Sequence, residues 1–121
     1  MFLDLKNYLR SHRKRSGLSQ SDVAFLLGSQ DAAQLSRYEK GHRLPKLQTA
    51  IALEAIFGVS VGTLFSGIQI EVGSKVSTRM KLLRTRLEQK REAHQETATD
   101  ARKLLWLDEF VVESNPNTLT S

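Results

Sequence analysis

The sequence predicts an all-α protein: a five-helix domain over residues 1–66, followed by a helical extension. Apolar residues recur at spacings of three and four along most of the chain, as one face of a helix requires. Glycine, proline and polar clusters divide that pattern into short segments. With 121 residues, 40% of them hydrophobic and 26% charged, the chain has room for one compact domain and an extension.

The first two helices are predicted from their apolar faces and their ends. Leu5 and Leu9 share one face of the first helix, and the cations Lys6, Arg10, Lys14 and Arg15 lie outside that face. The second helix is expected over residues 20–27, because Ser19 followed by Asp22 is close to a capping box and an acid suits the first turn. Both helices are followed by helix-ending glycines, Gly17 and Gly28.

The third helix is expected to start near Ala32 after a short polar turn. Asp31 can accept a hydrogen bond from the first-turn amides while Gln34 reaches back, which repeats the capping pattern. Leu35 and Tyr38 lie on one face, so the outward face is short, polar and cationic. Gly41 should end the helix shortly before Pro45.

Two more helices complete the predicted domain. The fourth follows Pro45 and runs to Gly58, and the fifth is short. Their apolar residues are Leu47, Ala50, Ile51, Leu53 and Phe57, then Val61, Leu64 and Phe65. A domain of this size buries only about 60% of its unfolded surface, so support from the extension is plausible.

The rest of the chain divides into a linker, a helical extension and a tail. Residues 67–74 contain two glycines and alternating apolar residues, which indicates a linker or a short extended strand. Over residues 75–113 we expect a helical hairpin or an outreaching pair of helices, with a break around residues 95–100 where Thr97 and Asp100 form a capping pair. From Ser114 to residue 121 the composition is typical of a frayed or disordered tail.

The extension carries an apolar seam that suits association. Val76, Met80, Leu83 and Leu87 step by four, three and four residues, as in a heptad repeat, but the seam fails after two heptads. The predicted dimerisation residues are these four together with Leu104, Leu107 and Val111 of the second helix.

Charge indicates a polyanionic partner, whereas several other kinds of function are excluded. Residues 1–66 hold nine lysines and arginines against five acids, and residues 67–121 hold nine against eight.

The chain has no cysteine, and its histidines at positions 12, 42 and 94 lack metal-ligand spacing, so we expect neither a metal nor a cofactor. No nucleophile elbow or phosphate loop indicates an enzyme. No segment suggests a secretion signal or a membrane span, and a cytoplasmic location is expected.

The segment 17–43, GLSQSDVAFLLGSQDAAQLSRYEKGHR, resembles the phage-repressor-like (Cro/CI or XRE type) helix-turn-helix family. The resemblance covers roughly residues 5–65. It is carried by Arg13, GLSQ at 17–20, Val23 and Ala24, Leu27 and Gly28, LSRYEKG at 35–41, Pro45, and FGVSVGTLF at 57–65. Two departures are a turn one residue longer than the commonest form and His12 at a usually apolar position. We expect His12 to be a half-buried packing residue.

The resemblance implies double-stranded DNA as the partner and assigns roles to individual residues. Gln34 and Arg37 of the third helix are the expected base readers, since an amide pairs with adenine and a guanidinium with guanine, although Arg37 could equally bind phosphate. Arg13 and Glu39 correspond to a structural ion pair. Gln20 is expected to contact phosphate and brace the recognition helix. Weaker expectations are methyl contacts from Ala32 and Ala33, a minor contact from Ser36, and backbone contacts from His42, Arg43 and Lys46.

The sequence thus predicts a sequence-specific DNA-binding regulator, most simply a homodimeric repressor that occupies an operator. The alternative is an antitoxin-like interaction module, in which the C-terminal helices bind a partner protein and DNA binding is autoregulatory. The seam at residues 75–113 separates these two: a self-complementary seam favours the homodimer, and an unpaired one favours a foreign partner.

Overall fold

The computed structural model describes residues 7–114, with side chains described for residues 7–110. This part of the chain is helical, as predicted, and divides between Gly73 and Ser74 into two compact units. Its helices are α1 (Leu9–Arg15), α2 (Gln20–Leu26), α3 (Ala32–Glu39), α4 (Leu47–Phe57), α5 (Val61–Leu64), α6 (Ser66–Glu92) and α7 (Ala98–Ser114). None of the helices in residues 7–114 has the length and apolar character needed to cross a membrane.

Each of the first five helices contributes one fully buried aliphatic side chain to a shared core. These side chains are at most 1% exposed: Leu9, Val23, Leu35, Leu53 and Leu64. Tyr38 and Phe65 close the core, and half-buried residues such as Ile56 and Val61 pack against it. Truncating a buried leucine to alanine generally costs about 2–5 kcal/mol, so this core fixes the relative positions of the five helices.

The predicted start of α2 is confirmed and that of α3 is confirmed in part. The Ser19 hydroxyl accepts from the Asp22 amide at 3.0 Å, and the Asp22 carboxylate accepts from the Ser19 amide at 2.9 Å. Asp31 caps α3 by accepting from the Ala33 amide at 3.0 Å. The side chain of Gln34 does not reach back to Asp31, because its oxygen accepts a hydrogen bond from Arg37 one turn further on.

Left-handed glycines end both α2 and α3. Gly28 and Gly41 each have φ of +74°, a conformation that costs glycine little. After α2 the Ser29 amide donates to the Ala24 carbonyl at 2.8 Å, and after α3 the His42 amide donates to the Arg37 carbonyl at 2.9 Å. Both are Schellman closures, and the one at Gly28 turns the chain between α2 and α3, which pack together.

Residues 67–74 are helical, so the expectation of a linker or short extended strand is wrong about their conformation. They form the first turns of α6, which starts at Ser66. Ile68 packs against the core of the first unit, whereas Ile70 and Val72 are exposed. The apolar alternation therefore does not reflect a sheet face, and residues 7–114 hold no strand with which such a segment could pair.

The second unit contains a helical hairpin, which settles the choice between a hairpin and an outreaching pair. Leu87, Leu104 and Leu107 form its buried core, with Met80 packed against them. Thr97 and Asp100 cap α7 reciprocally, each hydrogen bond being 3.0 Å long, as predicted. Ion pairs link the two helices at 2.7 Å (Lys90–Asp100) and 2.6 Å (Arg84–Asp108).

The hairpin changes what the predicted seam can do. Leu87, Leu104 and Leu107 are at most 4% exposed and pack within one chain, whereas Val76 and Leu83 are 46% and 38% exposed. Of the seven predicted dimerisation residues, Leu87, Leu104 and Leu107 therefore serve the hairpin's own core. The side chain of Val111 lies outside the described residues, as does the expected tail beyond Ser114.

Candidate DNA-binding surface

The second helix of the α2–turn–α3 unit presents a short polar face to solvent. Leu35 and Tyr38 anchor the inner face of α3 in the core. Ala33 and Arg37 are exposed, and Gln34 is half-buried between them. Ala32 and Ser36 are half-buried as well. Because residues three and four apart are neighbours on a helix, Ala33, Gln34 and Arg37 share one face.

Gln34 and Arg37 are joined on that face. Nη1 of Arg37 donates to Oε1 of Gln34 at 3.0 Å. The contact leaves the amide NH₂ group of Gln34 and the remaining N–H groups of Arg37 as donors for another molecule. Donors of this kind are the groups that pair with the acceptor atoms of purine base edges in a major groove, such as N7 of adenine and O6 and N7 of guanine.

A network centred on Glu39 fixes α3 against α1 and α2. Arg13 of α1 forms an ion pair with Glu39, with Nη2 donating to Oε1 at 3.2 Å, and its Nη1 donates to the Leu18 carbonyl at 3.1 Å. Nε2 of Gln20 in α2 donates to the same Glu39 oxygen at 3.1 Å. The hydrogen bond that Arg13 donates to the Glu39 carboxylate raises the pKa of Arg13 above its ordinary value. Gln20 thus braces α3 through a carboxylate that already belongs to the ion pair.

A cleft beside α3 brings three predicted DNA contacts together. It has a volume of about 300 Å³ and includes Gln34, Arg43 and Lys46 in its lining. His42 is exposed in the same loop. The cleft also includes Ser29 of the turn and Thr49 of α4, which sequence reasoning did not single out. Ser29 belongs to the short polar turn before α3. Thr49 joins the cleft through the tertiary packing of α4, for which no local sequence signal exists.

The surface around α3 has an excess of positive charge. Arg37, Lys40, Arg43 and Lys46 are all exposed, and Lys40 is a third residue that sequence reasoning missed. Glu39 is paired with Arg13, so its charge is compensated within the domain. Positive charge that surrounds a polar helix face attracts a polyanion and orients it toward that face.

His12 lies apart from this surface and packs as expected. Its ring is half-buried, and its centroid is 6.5 Å from that of Phe57 in a tilted arrangement. The histidine therefore fills the position that an apolar side chain would take between α1 and α4.

Comparison with known proteins agrees with this geometry. A helix-turn-helix family model matches residues 9–64. The chain is also similar to the cryptic phage CTXphi transcriptional repressor RstR of Vibrio cholerae, with 28% identity over 85 residues, which covers 70% of this chain and 76% of that protein. No solved structure gives a significant match. Residues 9–64 therefore hold a helix-turn-helix domain, and the similarity to a phage repressor agrees with the resemblance to the phage-repressor-like (XRE type) family.

Proposed function

We propose that this protein is a dimeric repressor that reads an operator with α3 and blocks transcription by occupying it. At the coarser level it is a DNA-binding transcriptional regulator. The observation that carries the proposal is the Gln34–Arg37 pair, held on the exposed face of a helix whose other face is fixed in the core. In helix-turn-helix complexes the second helix enters the major groove, so this pair would face base edges.

Within this proposal the residues around α3 divide into two roles. Gln34 and Arg37 read bases, with methyl contacts from Ala32 and Ala33 and a minor contact from Ser36. The loop residues His42, Arg43 and Lys46 contact the sugar-phosphate backbone and set the register of the domain on the duplex. Gln20 braces α3 through Glu39, and contact with phosphate is its second proposed role.

The small size of the reading surface is the reason to propose a dimer on the operator. One short helix reads only a few base pairs, so a long operator needs two copies. A two-fold dimer held by residues 75–112 would place two recognition helices about 34 Å apart on an inverted repeat. Exposed apolar residues in the second unit, Val76, Leu83 and Trp106 among them, support association through this region. The bound dimer would exclude RNA polymerase from the promoter.

Selection from random duplex DNA with the purified full-length chain tests the proposal. We expect recovered sequences to share an inverted repeat whose half-sites are centred about 10 base pairs apart or a multiple of that distance. The matched control is Arg37→Ala, which should recover a less defined half-site. Recovery of unrelated sequences with no common half-site would contradict the proposal.

The second candidate function is an interaction module whose C-terminal helices bind a different protein, with autoregulatory DNA binding. The observation that favours it is the same exposed apolar surface on the hairpin. Sedimentation separates the two candidates, because the repressor proposal requires a homodimer of the chain alone. A monomer at micromolar concentration would move support to the second candidate.

A further inference from the structure

The hairpin has an apolar groove beside its leucine core. The groove is open and has a volume of about 310 Å³. Val76, Met80, Leu83 and Trp106 line it, together with the cations Lys75 and Arg79. Trp106 is 48% exposed, although tryptophan usually buries most of its surface. Leu87, Leu104 and Leu107 form the buried core of the hairpin, whereas Val76 and Trp106 keep about half of their surface exposed in the groove.

Charge is segregated between the two helices that form the hairpin. Residues 72–87, on the α6 side, contain five lysines and arginines and no acid. Residues 104–114, on the α7 side, contain three acids and no lysine or arginine. One cross-helix pair, Arg84–Asp108, uses part of this charge within the chain. Neither Arg79 nor Glu109 forms an ion pair with another residue in the range 7–110.

This charge pattern decides which surface of a second copy fits the groove. Pairing α6 with α6 of another copy would bring two cationic stretches together, and opposed like charges cost binding energy. Pairing α6 with α7 brings the cationic stretch of one copy against the acidic stretch of the other. Under two-fold symmetry the same contact forms twice, so one hairpin carries both halves of the interface.

The exposed face of α7 also has the side chains that such a groove favours. The rings of Trp106 and Phe110 lie 5.2 Å apart, centroid to centroid, and both side chains are more than 40% exposed. Aromatic side chains at the centre of an interface, with charges at its rim, are typical of stable protein contacts. Glu109 lies between these two aromatic residues in sequence, on the same exposed stretch.

We propose that the hairpin groove receives the α7 face of a second copy of this chain, with Glu109 beside the partner's Arg79. This deepens the homodimer of the proposed function, on which it rests. It replaces the simple α6 seam expected from the heptad pattern with a reciprocal α6–α7 contact, in which Val76, Leu83, Trp106 and Phe110 form the apolar centre.

Charge reversal in the full-length chain tests the proposed pairing. Arg79→Glu and Glu109→Arg should each raise the dimer dissociation constant about tenfold at low salt, because each reversal creates two repulsive contacts per dimer. The double variant should return close to the wild-type value. Lys81→Glu is the matched control, since Lys81 belongs to the same cationic stretch but does not line the groove. Sedimentation equilibrium measures the constants, and far-UV circular dichroism verifies folding.

Cross-linking gives a second measurement, because the native chain has no cysteine. A mixture of Arg79→Cys and Glu109→Cys chains should form a disulfide between unlike chains under mild oxidation. Each variant alone, and a mixture of Lys81→Cys with Glu109→Cys, should cross-link much less.

Several outcomes would overturn the pairing. A monomeric wild-type chain at micromolar concentration would do so, as would single reversals without effect or a double variant as weak as the singles. Failure of the DNA-binding proposal is distinguishable, because a chain that shows the rescue pattern but binds no selected duplex would retain the pairing and lose the operator function.

Discussion

At the residue scale, Glu39 connects the three helices that orient the reading surface. It accepts hydrogen bonds from Arg13 of α1 and Gln20 of α2 while belonging to α3. Arg13 is only 9% exposed, so the ion pair is largely shielded from solvent. Removing one partner of such a pair leaves a charge without compensation, which costs more than the pair itself contributes.

Glu39→Ala should therefore lower the free energy of unfolding of the first unit by about 3 kcal/mol, because Arg13 would stay buried without a partner. Urea unfolding followed by far-UV circular dichroism measures the change. The double variant Arg13→Met with Glu39→Leu is the control and should recover much of the loss. A loss below about 1 kcal/mol for Glu39→Ala would mean that the pair behaves like an exposed surface salt bridge.

Gln34 and Arg37 give a residue-level prediction about specificity. Replacing either with alanine should cost about 1–3 kcal/mol on the preferred site and relax the preference at one base position. Lys46→Ala, the comparison variant, should weaken binding to all sequences alike. Titration of duplexes that differ at single positions measures both effects. If Arg37→Ala lowers affinity equally for operator and random DNA, Arg37 binds phosphate and does not read a base.

At the element scale, the ends of helices were more predictable than their extents or their partners. Ser19, Asp31 and Thr97 all cap helices as expected, since a cap depends on residues within one turn. The helical conformation of residues 67–74 was not predictable. The alternation of Ile68, Ile70 and Val72 is compatible with a strand as well as with a helix, and only tertiary packing separates the two. Likewise, heptad spacing alone could not tell whether Leu87 faces its own chain or another.

The candidate surface follows the same rule. Residues on α3 and in the loop after it could be identified from sequence, because their positions depend on local helix geometry. Thr49 and the cleft it lines could not, since they depend on how α4 packs beside α3.

The turn of the hairpin contains a strained residue. His94, which follows α6, has φ of +58°, and the Gln95 amide donates to the Lys90 carbonyl at 2.8 Å. This is the position where helices favour glycine. His94→Gly should therefore raise the hairpin's free energy of unfolding by about 0.5–1 kcal/mol. Urea unfolding measures the change through the fluorescence of Trp106, the chain's single tryptophan. His94→Ala keeps the strain and should not stabilise; equal stabilisation by both would contradict a backbone origin.

Asp100 gives the hairpin a pH dependence. The hydrogen bond from Lys90, followed by that from the Thr97 amide, lowers the pKa of the Asp100 carboxyl well below its usual range. A carboxyl whose pKa is lowered on folding stabilises the fold above its unfolded pKa of about 3.9, and that contribution is lost as pH falls further. The hairpin should thus lose stability below about pH 4.

Asp100→Asn isolates this effect, because it keeps a capping oxygen but removes the charge next to Lys90. The variant should be less stable than wild type at pH 7, and the difference should narrow as pH falls from about 4 toward 2. Thermal unfolding monitored by Trp106 fluorescence measures both chains. A stability difference that stays constant over this range would show that the charge of Asp100 does not contribute.

At the scale of the whole molecule, we assign DNA binding to a charged surface of the first unit and dimer contact to an apolar surface of the second. In the first unit, exposed cations on α3 and after it, Arg37, Lys40, Arg43 and Lys46, would attract a polyanion. In the second unit the exposed apolar side chains lie on the hairpin, which we propose as the dimer contact. The two tasks combine in a two-fold dimer, because affinity for an inverted repeat requires both recognition helices to be held at a fixed spacing.

The central claim is specific, electrostatically assisted DNA reading by α3, and titration of the full-length protein tests it most directly. A selected operator and a scrambled duplex of equal length are titrated over a series of salt concentrations. We predict affinity for the operator at least about 10³-fold above the scrambled duplex, with log K falling by about 0.9 per neutralised phosphate for each unit of log salt. Equal affinity for both duplexes, or binding that does not change with salt, would contradict the claim.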